Sequence, residues 1–522
     1  MVSNGNAIQQ DLIAQRPTFK MPLTILTDSD VKDLLHNLTK QDVEALQASL
    51  QNALHEYSTG TTNAGACAQN QPNRTVMESK SGATTLFMPS TSSTGIGIKG
   101  MIRNILTIQS TNTSTPVVTL AAPPSHSSDL QPTPTKTNVT PQGALTIMDR
   151  TGKPTGFLNA EEITAFRTAL ASSLLVTRRS RVKTITVFGV GKQAFWHIRL
   201  SLLLHGHAIK RVHFINREFN DRARDCLKKF ICFDAATKRE EGWYQTTFDL
   251  ISTSYNEIGR VLKDQVRAAD IIFSTTPSTE PLFDETILTN TEGRKKGRLI
   301  IAVGSYKKHM IEIPTEVIFQ AVKRHGSGHH FHKHAEEGGV VVVDTLACLS
   351  ETGELAGIQP HQSVELGELV MLEQMSPRPS DFSDSPIDSS RASLETLESL
   401  SLNNDGTKSL AKVFREDSME STGSTNTSTT KSSSRTSSFT NLTKPSFNLH
   451  KRSGSTGSGS TERGSLGKKK KQTEQEDQMS RWLSSGNVIY KSVGMGLMDL
   501  VVGGDLVRLA RERGVGLSVE EF

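Results

Sequence analysis

The sequence predicts an α/β protein in which a Rossmann-type parallel sheet is joined to a second α/β domain. Three observations predict it. From Val182 onward, apolar strands alternate with helical stretches (TITVFGVG, RVHFIN, DIIFST, RLIIAVG, VVVVD), the continuous runs that a parallel sheet covered on both faces requires. A glycine turn, Gly189 to Ala194, joins the first of these strands to a helix. Ahead of it, ALTIMDRTGKPTGFL reads as two strands folded about a turn at Asp149 to Lys153.

That hairpin leads into a helix. Asn159 stands three residues before Glu162, the spacing of a capping box, and Ile163, Phe166, Leu170 and Leu174 follow at helical intervals to an end near Arg178 and Arg179. In the turn after TITVF, Gly189 and Gly191 permit close backbone approach to a pyrophosphate seated on the helix N-terminus; Gln193 follows, and Ala194 takes the third small position. The second strand ends at Asn216 and Arg217, where an NAD enzyme carries an acidic residue for the ribose 2′-hydroxyl. Arginine suits a 2′-phosphate, so NADP(H) is the expected cofactor, while the adjacent Glu218 keeps NAD(H) open. Thr275, Thr276 and Gly304, closing the next two strands, complete the cofactor set on this side.

The 522 residues have room for two or three domains, yet 35% hydrophobic content is low for a chain packed throughout. Three stretches break the globular pattern: a Ser/Thr/Pro-rich segment at 110–140, the histidine cluster at 325–334, and a long Ser/Thr-rich segment at 376–480, all expected to be insertions. The cluster HGSGHHFHKH has no cysteine or carboxylate framework to fix a metal geometry, and no metal is expected. The run Lys468 to Lys471 reads as a solvated charge block or a localisation signal. The net charge of +5 is spread along the chain, which gives no reason to expect nucleic acid as a partner. Four cysteines without ligand spacing, no signal-peptide pattern and no long apolar run point to a cytoplasmic enzyme without a membrane span.

At this point the motifs resemble the ornithine cyclodeaminase and mu-crystallin family. Its glycine loop commonly reads GxGxQA, as here at Gly189 to Ala194. MDRTGKPTGFLNAEEITAFRTALAS is similar to its D-x-x-G turn and following IT-x-x-RTA helix. AVGSYKKHMIEI matches its VG segment with a glutamate eight residues on, here Gly304 and Glu312, and VELGELV and IYKSVGMGLMDLV resemble its closing segments. The resemblance implies a substrate and dimerisation domain at 1–179, completed by 486–522, a Rossmann domain at 180–373, and a homodimer in which the sheets of two substrate domains pack together.

It also implies a site. Arg74, Lys99 and Arg167 match the family's carboxylate-binding positions, and a guanidinium offers the paired donors a carboxylate needs. Lys99 lies in an apolar, glycine-flanked strand where a stray charge would be costly. Glu312 and Asp344 match acidic positions after the last cofactor strands and read either as catalytic groups, with Lys99, or as turn and cap residues. Lys491 and Asp499 belong to the closing segment, orienting the cofactor face or the domain junction. Tyr306 stands where ornithine cyclodeaminases carry aspartate, so the expected reaction is NAD(P)H-dependent reduction of the C=N bond, or oxidation of the C–N bond, of a small amino acid or cyclic ketimine. The alternatives are an ammonia-releasing cyclodeaminase with transient cofactor reduction and a non-catalytic NADPH-binding protein.

Overall fold

Period-two alternation of apolar residues builds the first sheet. The computed structural model describes residues 22–60, 67–80, 83–104, 142–323, 339–369 and 479–520. The segments 110–140 and 325–334, and 376–480 up to residue 478, lie outside these residues. Strands β1 (Leu23–Leu26), β2 (Thr75–Glu78), β3 (Ala83–Thr91), β4 (Ile96–Asn104), β5 (Gln142–Met148), β6 (Pro154–Asn159) and β15 (Leu517–Val519) assemble in the order β15-β1-β6-β5-β4-β3-β2. From β2 to β6 the strands form an antiparallel meander; β1 joins β6 in parallel, and β15 pairs with β1. Met88, Lys99, Leu145, Leu158 and Leu26 stand in register as one row, and all five are buried. The neighbouring row on the other face contains Ile98, Phe157 and Leu517, all exposed.

Helices α1 (Asp28–His36), α2 (Lys40–Thr59), α3 (Glu161–Val176) and the C-terminal helix Gly496–Arg513 share a core with the buried face. Capping boxes at Thr27 with Asp30 and Thr39 with Asp42 start the first two. The third departs from expectation. Its cap is Ala160, with no side-chain bond; Asn159 Oδ1 accepts instead from the Glu161 amide at 3.0 Å. Glu162 is taken by tertiary partners, Trp196 Nε1 at 2.6 Å and Lys192 Nζ at 2.6 Å, which a buried carboxylate needs more than a local cap does.

The second sheet is wholly parallel. Strands β7 (Thr184–Phe188), β8 (Arg211–Asn216), β9 (Thr247–Ser252), β10 (Ile271–Ser274), β11 (Leu299–Ala302), β12 (Gly339–Val343), β13 (Ser363–Glu365) and β14 (Asn487–Lys491) run in the order β13-β12-β14-β11-β10-β7-β8-β9. Strand order reverses at β7, between β8 and β10, the switch point beside which such sheets bind ligands.

The C-terminal segment does not return directly to the first domain. Its strand β14 first fills the gap between β11 and β12, where two apolar strands would otherwise face each other across unpaired backbone groups. Helical backbone resumes at Met479, ahead of Gly486. Adjacent arginines after α3 hold both flanks of 370–478: Arg178 donates to the Leu369 carbonyl at 3.2 Å, and Arg179 to those of Trp482, Leu483 and Gly486 at 3.3, 3.2 and 2.9 Å. No helix among the described residues is long and apolar enough to cross a membrane.

Candidate active site

The glycine turn follows β7 directly. Gly189 has φ +101°, and a Cβ there would stand 2.7 Å from Thr275 Oγ1, so only glycine fits. Gly191 is the cap of α4 (Lys192–His205) and leaves its first turn free of a side-chain cap. Gln193 is partly buried and Ala194 wholly buried. Thr275 donates from its amide and its hydroxyl to the Phe188 carbonyl at 3.0 and 2.7 Å, and Gly304 packs so closely on the Thr276 backbone that a Cβ would lie 2.2 Å from its carbonyl. At the end of β8, Asn216 Nδ2 donates to the Glu218 carbonyl at 2.7 Å, bending the chain, and Arg217 is exposed.

Beneath these turns lies a buried carboxylate. Glu312 accepts from the amides of Thr276, Gly304 and Ser305 at 2.8, 2.8 and 3.0 Å, and so ties the turn after β10 to the one after β11. Glu354 accepts from the Glu312 amide at 2.5 Å and from the Ser305 hydroxyl. Lys491 contacts the Ser305 hydroxyl and lies 3.3 Å from Glu354 and 4.0 Å from Glu312. Burial pushes Glu312 up to about 7, against the pull of Lys491 and with a further push from Glu354. Tyr306 is half-buried beside this cluster.

Asp344 is tied in the same manner. Its carboxylate accepts from the Tyr490 and Ser492 hydroxyls, the latter at 2.9 Å, and from the amides of Val493 and Gly494 at 3.0 and 2.7 Å. The loop it holds presses on Arg167: Gly494 has φ +85°, and a Cβ there would lie 2.3 Å from the Arg167 guanidinium.

Strand β4 and helix α3 supply the cations. Lys99 Nζ donates to Asp499 Oδ1 at 2.7 Å and to Thr164 Oγ1 at 2.8 Å, and Arg167 Nε reaches the same Asp499 oxygen at 3.3 Å. All three charged groups are buried, and Asp499 is 0% exposed. Burial brings Lys99 down to about 8, with Asp499 pulling it up and Arg167 pressing it further down. Arg74 is engaged elsewhere, paired with Glu351 at 2.5 Å and only partly buried. The structure therefore brings Lys99 and Arg167 together on Asp499 and places Arg74 on a different carboxylate. Among the described residues no group of three or more His, Cys, Asp or Glu could hold a metal ion. A groove of about 630 Å³ between residues 36–40 and the far end of α4 is lined by none of these groups.

Two residues escaped the sequence reading. Glu354 sits in a loop of no recognisable motif, and Arg222, which approaches the glycine turn, looks like any surface arginine of an amphipathic helix.

No family model matches the chain. An uncharacterised protein of Saccharomyces cerevisiae is 28% identical over 377 residues, 67% of this chain and 87% of that protein. A Δ1-pyrroline-2-carboxylate reductase of Bacillus cereus is 27% identical over 219 residues, covering 41% of this chain and 53%, about half, of the reductase. Among solved structures, Thermococcus litoralis Δ1-pyrroline-2-carboxylate reductase in complex with NADH and L-proline aligns with a TM-score of 0.50 at 14% identity, covering 95% of this chain and all of that one. A probable ornithine cyclodeaminase from Bordetella pertussis aligns with a TM-score of 0.51 at 16% identity, covering 94% and 99% of the two chains. In sequence the chain is related to the pyrroline-2-carboxylate reductases, and its fold is that of those reductases and of ornithine cyclodeaminase.

Proposed function

We propose that the chain is an NAD(P)H-dependent reductase of a carboxylated imine, of which a cyclic ketimine such as Δ1-pyrroline-2-carboxylate is the model substrate. One observation carries the reading. Lys99 and Arg167 are both buried and share a single carboxylate, Asp499, so the cluster keeps a surplus positive charge that one substrate carboxylate would neutralise. Leaving that surplus in a dry site is costly unless an anion completes it. The kinship with the reductases supports the same chemistry.

The second domain fits a dinucleotide. Gly189 admits no side chain, Gly191 leaves the first turn of α4 open to an anion, and the turn lies at the switch point of the sheet. Bound there, the reduced nicotinamide supplies the hydride. Arg167 takes the substrate carboxylate and Lys99 gives the proton that the imine nitrogen needs as its carbon accepts hydride. Glu312 and Asp344 act as positioning residues, because their oxygens are engaged by backbone amides and hydroxyls. Lys491 stabilises the Glu312 cluster, and Tyr306 borders the nicotinamide end. Arg217 favours NADP(H) through its 2′-phosphate.

The test is an assay of NADPH and NADH oxidation with Δ1-pyrroline-2-carboxylate. The expected result is stoichiometric coenzyme loss, faster with NADPH, and Arg217→Asp should reverse the coenzyme order. Ammonia release from ornithine with no net coenzyme turnover would mark a cyclodeaminase and overturn the reading.

The assembly proposed with this function is a homodimer through the open face of the first sheet. That face exposes Phe87 on β3, Ile98 and Ile102 on β4, and Phe157 on β6, each 41–50% accessible. An exposed apolar face of this kind marks an interface. Phe157→Asp should convert a dimer to a monomer in light scattering. A parent protein that is already monomeric would refute the dimer.

A further inference from the structure

We infer that Arg222 is an anchor for the coenzyme's pyrophosphate, acting alike on NADPH and NADH, an assignment that rests on the dinucleotide reading above. Arg222 stands in the first turn of α5 (Asp221–Ile231), six residues past the end of β8. Its Nη2 lies 3.2 Å from where a Cβ on Gly191 would be, so the guanidinium hangs over the second glycine of the turn. That glycine is the one whose bare backbone lets a pyrophosphate approach the helix N-terminus.

Its neighbours are occupied and it is not. Asp221 pairs with Arg224 at 3.2 Å, and Arg224 also lies over the Phe219 ring at 6.0 Å. Arg222 is exposed and makes no hydrogen bond or ion pair among the described residues. A guanidinium without an anion, held over an uncapped helix N-terminus by its own helix, is placed to close on a phosphate oxygen with paired donors. The opposite sides of the pyrophosphate would then meet the first amides of α4 and this one side chain.

Arg217 and Arg222 thereby divide the coenzyme between them. Arg217, at the tip of β8, lies where the ribose 2′ substituent is read, and so acts on NADPH alone. Arg222, over Gly191, acts on the part that both coenzymes share. The geometry makes Arg222 the source of affinity and Arg217 the source of selectivity.

The experiment measures equilibrium binding of NADPH, NADH and ADP-ribose to the full chain by coenzyme fluorescence and by calorimetry, without substrate. Arg222→Gln is expected to weaken all three by a similar factor of roughly ten or more, and Arg222→Lys to recover part of it, since the charge stays but the paired donors are lost. Arg217→Gln should weaken NADPH and leave NADH and ADP-ribose unchanged. Loss of NADPH affinity alone in Arg222→Gln would place the contact on the 2′-phosphate and overturn the assignment, as would unchanged affinity for all three. Failure of the parent to bind any of them would instead remove the dinucleotide reading itself.

Discussion

Replacing Lys99 by methionine should lower kcat for imine reduction by about 10²–10⁴-fold, the range for loss of a positioned proton donor. The substitution keeps the length and apolar stem of the side chain, so the buried row of Met88, Leu145, Leu158 and Leu26 retains a filler at its centre. Asp499 keeps Arg167 as its partner at 3.3 Å, which limits the structural cost. The pH profile carries the finer test. With Lys99 brought down to about 8 by burial, the proton it donates is present below that pH and lost above it. Reduction by the parent should therefore decline as pH rises through about 8, and amine oxidation, which needs the free base, should rise over the same interval. The variant should lack both inflections.

Linkage adds a control that needs no substrate. Below about 8 the folded and unfolded chains both hold this proton; between about 8 and the ordinary 10.5 only the unfolded chain does. Where the unfolded state binds more protons, stability rises with pH, so Lys99 makes the fold relatively more stable toward the alkaline end of that window. The methionine variant should lose that component of the rise in thermal unfolding. A variant that keeps the parent's kinetic inflection would place the titration on another group and end the proton-donor assignment.

The parts of this molecule that can be read from sequence are those set by local rules. Strand-to-helix alternation, the hairpin about Asp149 and the glycine turn each follow from a few consecutive residues, and Gly189 adopts φ +101° for the reason its motif suggests. What could not be read depends on partners far away in the chain. β14 lies between β11 and β12, although more than a hundred residues separate its sequence from that of β12. Asn159 and Glu162 have the spacing of a cap, but a tryptophan and a lysine on the next helix claim the glutamate. Lys99 stands out in the sequence by its apolar strand, but what separates Arg167 from Arg74 lies in Asp499 and Glu351, which no spacing rule pairs with them. Glu312 and Asp344 appear from their positions to be candidate acids, and only the folded chain shows the amides that occupy them.

Arg167→Ala should reduce kcat/KM for the carboxylated imine by roughly thirty- to several-thousandfold. The magnitude follows from leaving a substrate carboxylate without its guanidinium in a desolvated site, a cost of about 2–5 kcal/mol at about 1.4 kcal/mol for each factor of ten. Asp499 remains paired with Lys99 at 2.7 Å, so the variant is not left with an uncompensated buried anion, and its fold should persist. Coenzyme affinity should hardly change, because α3 meets the glycine turn through Glu161 and Glu162, which hold Lys192, while Arg167 is turned to Asp499. Arg74→Ala is the internal comparison: its guanidinium is already paired with Glu351 and is 25% exposed, and its loss should cost far less. The decisive arm varies the substrate instead of the protein. A decarboxylated analogue of the imine should be a poor substrate for the parent, and Arg167→Ala should treat acid and analogue nearly alike, since the group that distinguishes them has gone. If the parent reduces the analogue as fast as the acid, the surplus charge of Lys99 and Arg167 serves only to hold Asp499 and the closing helix in place, and the carboxylate clamp does not exist.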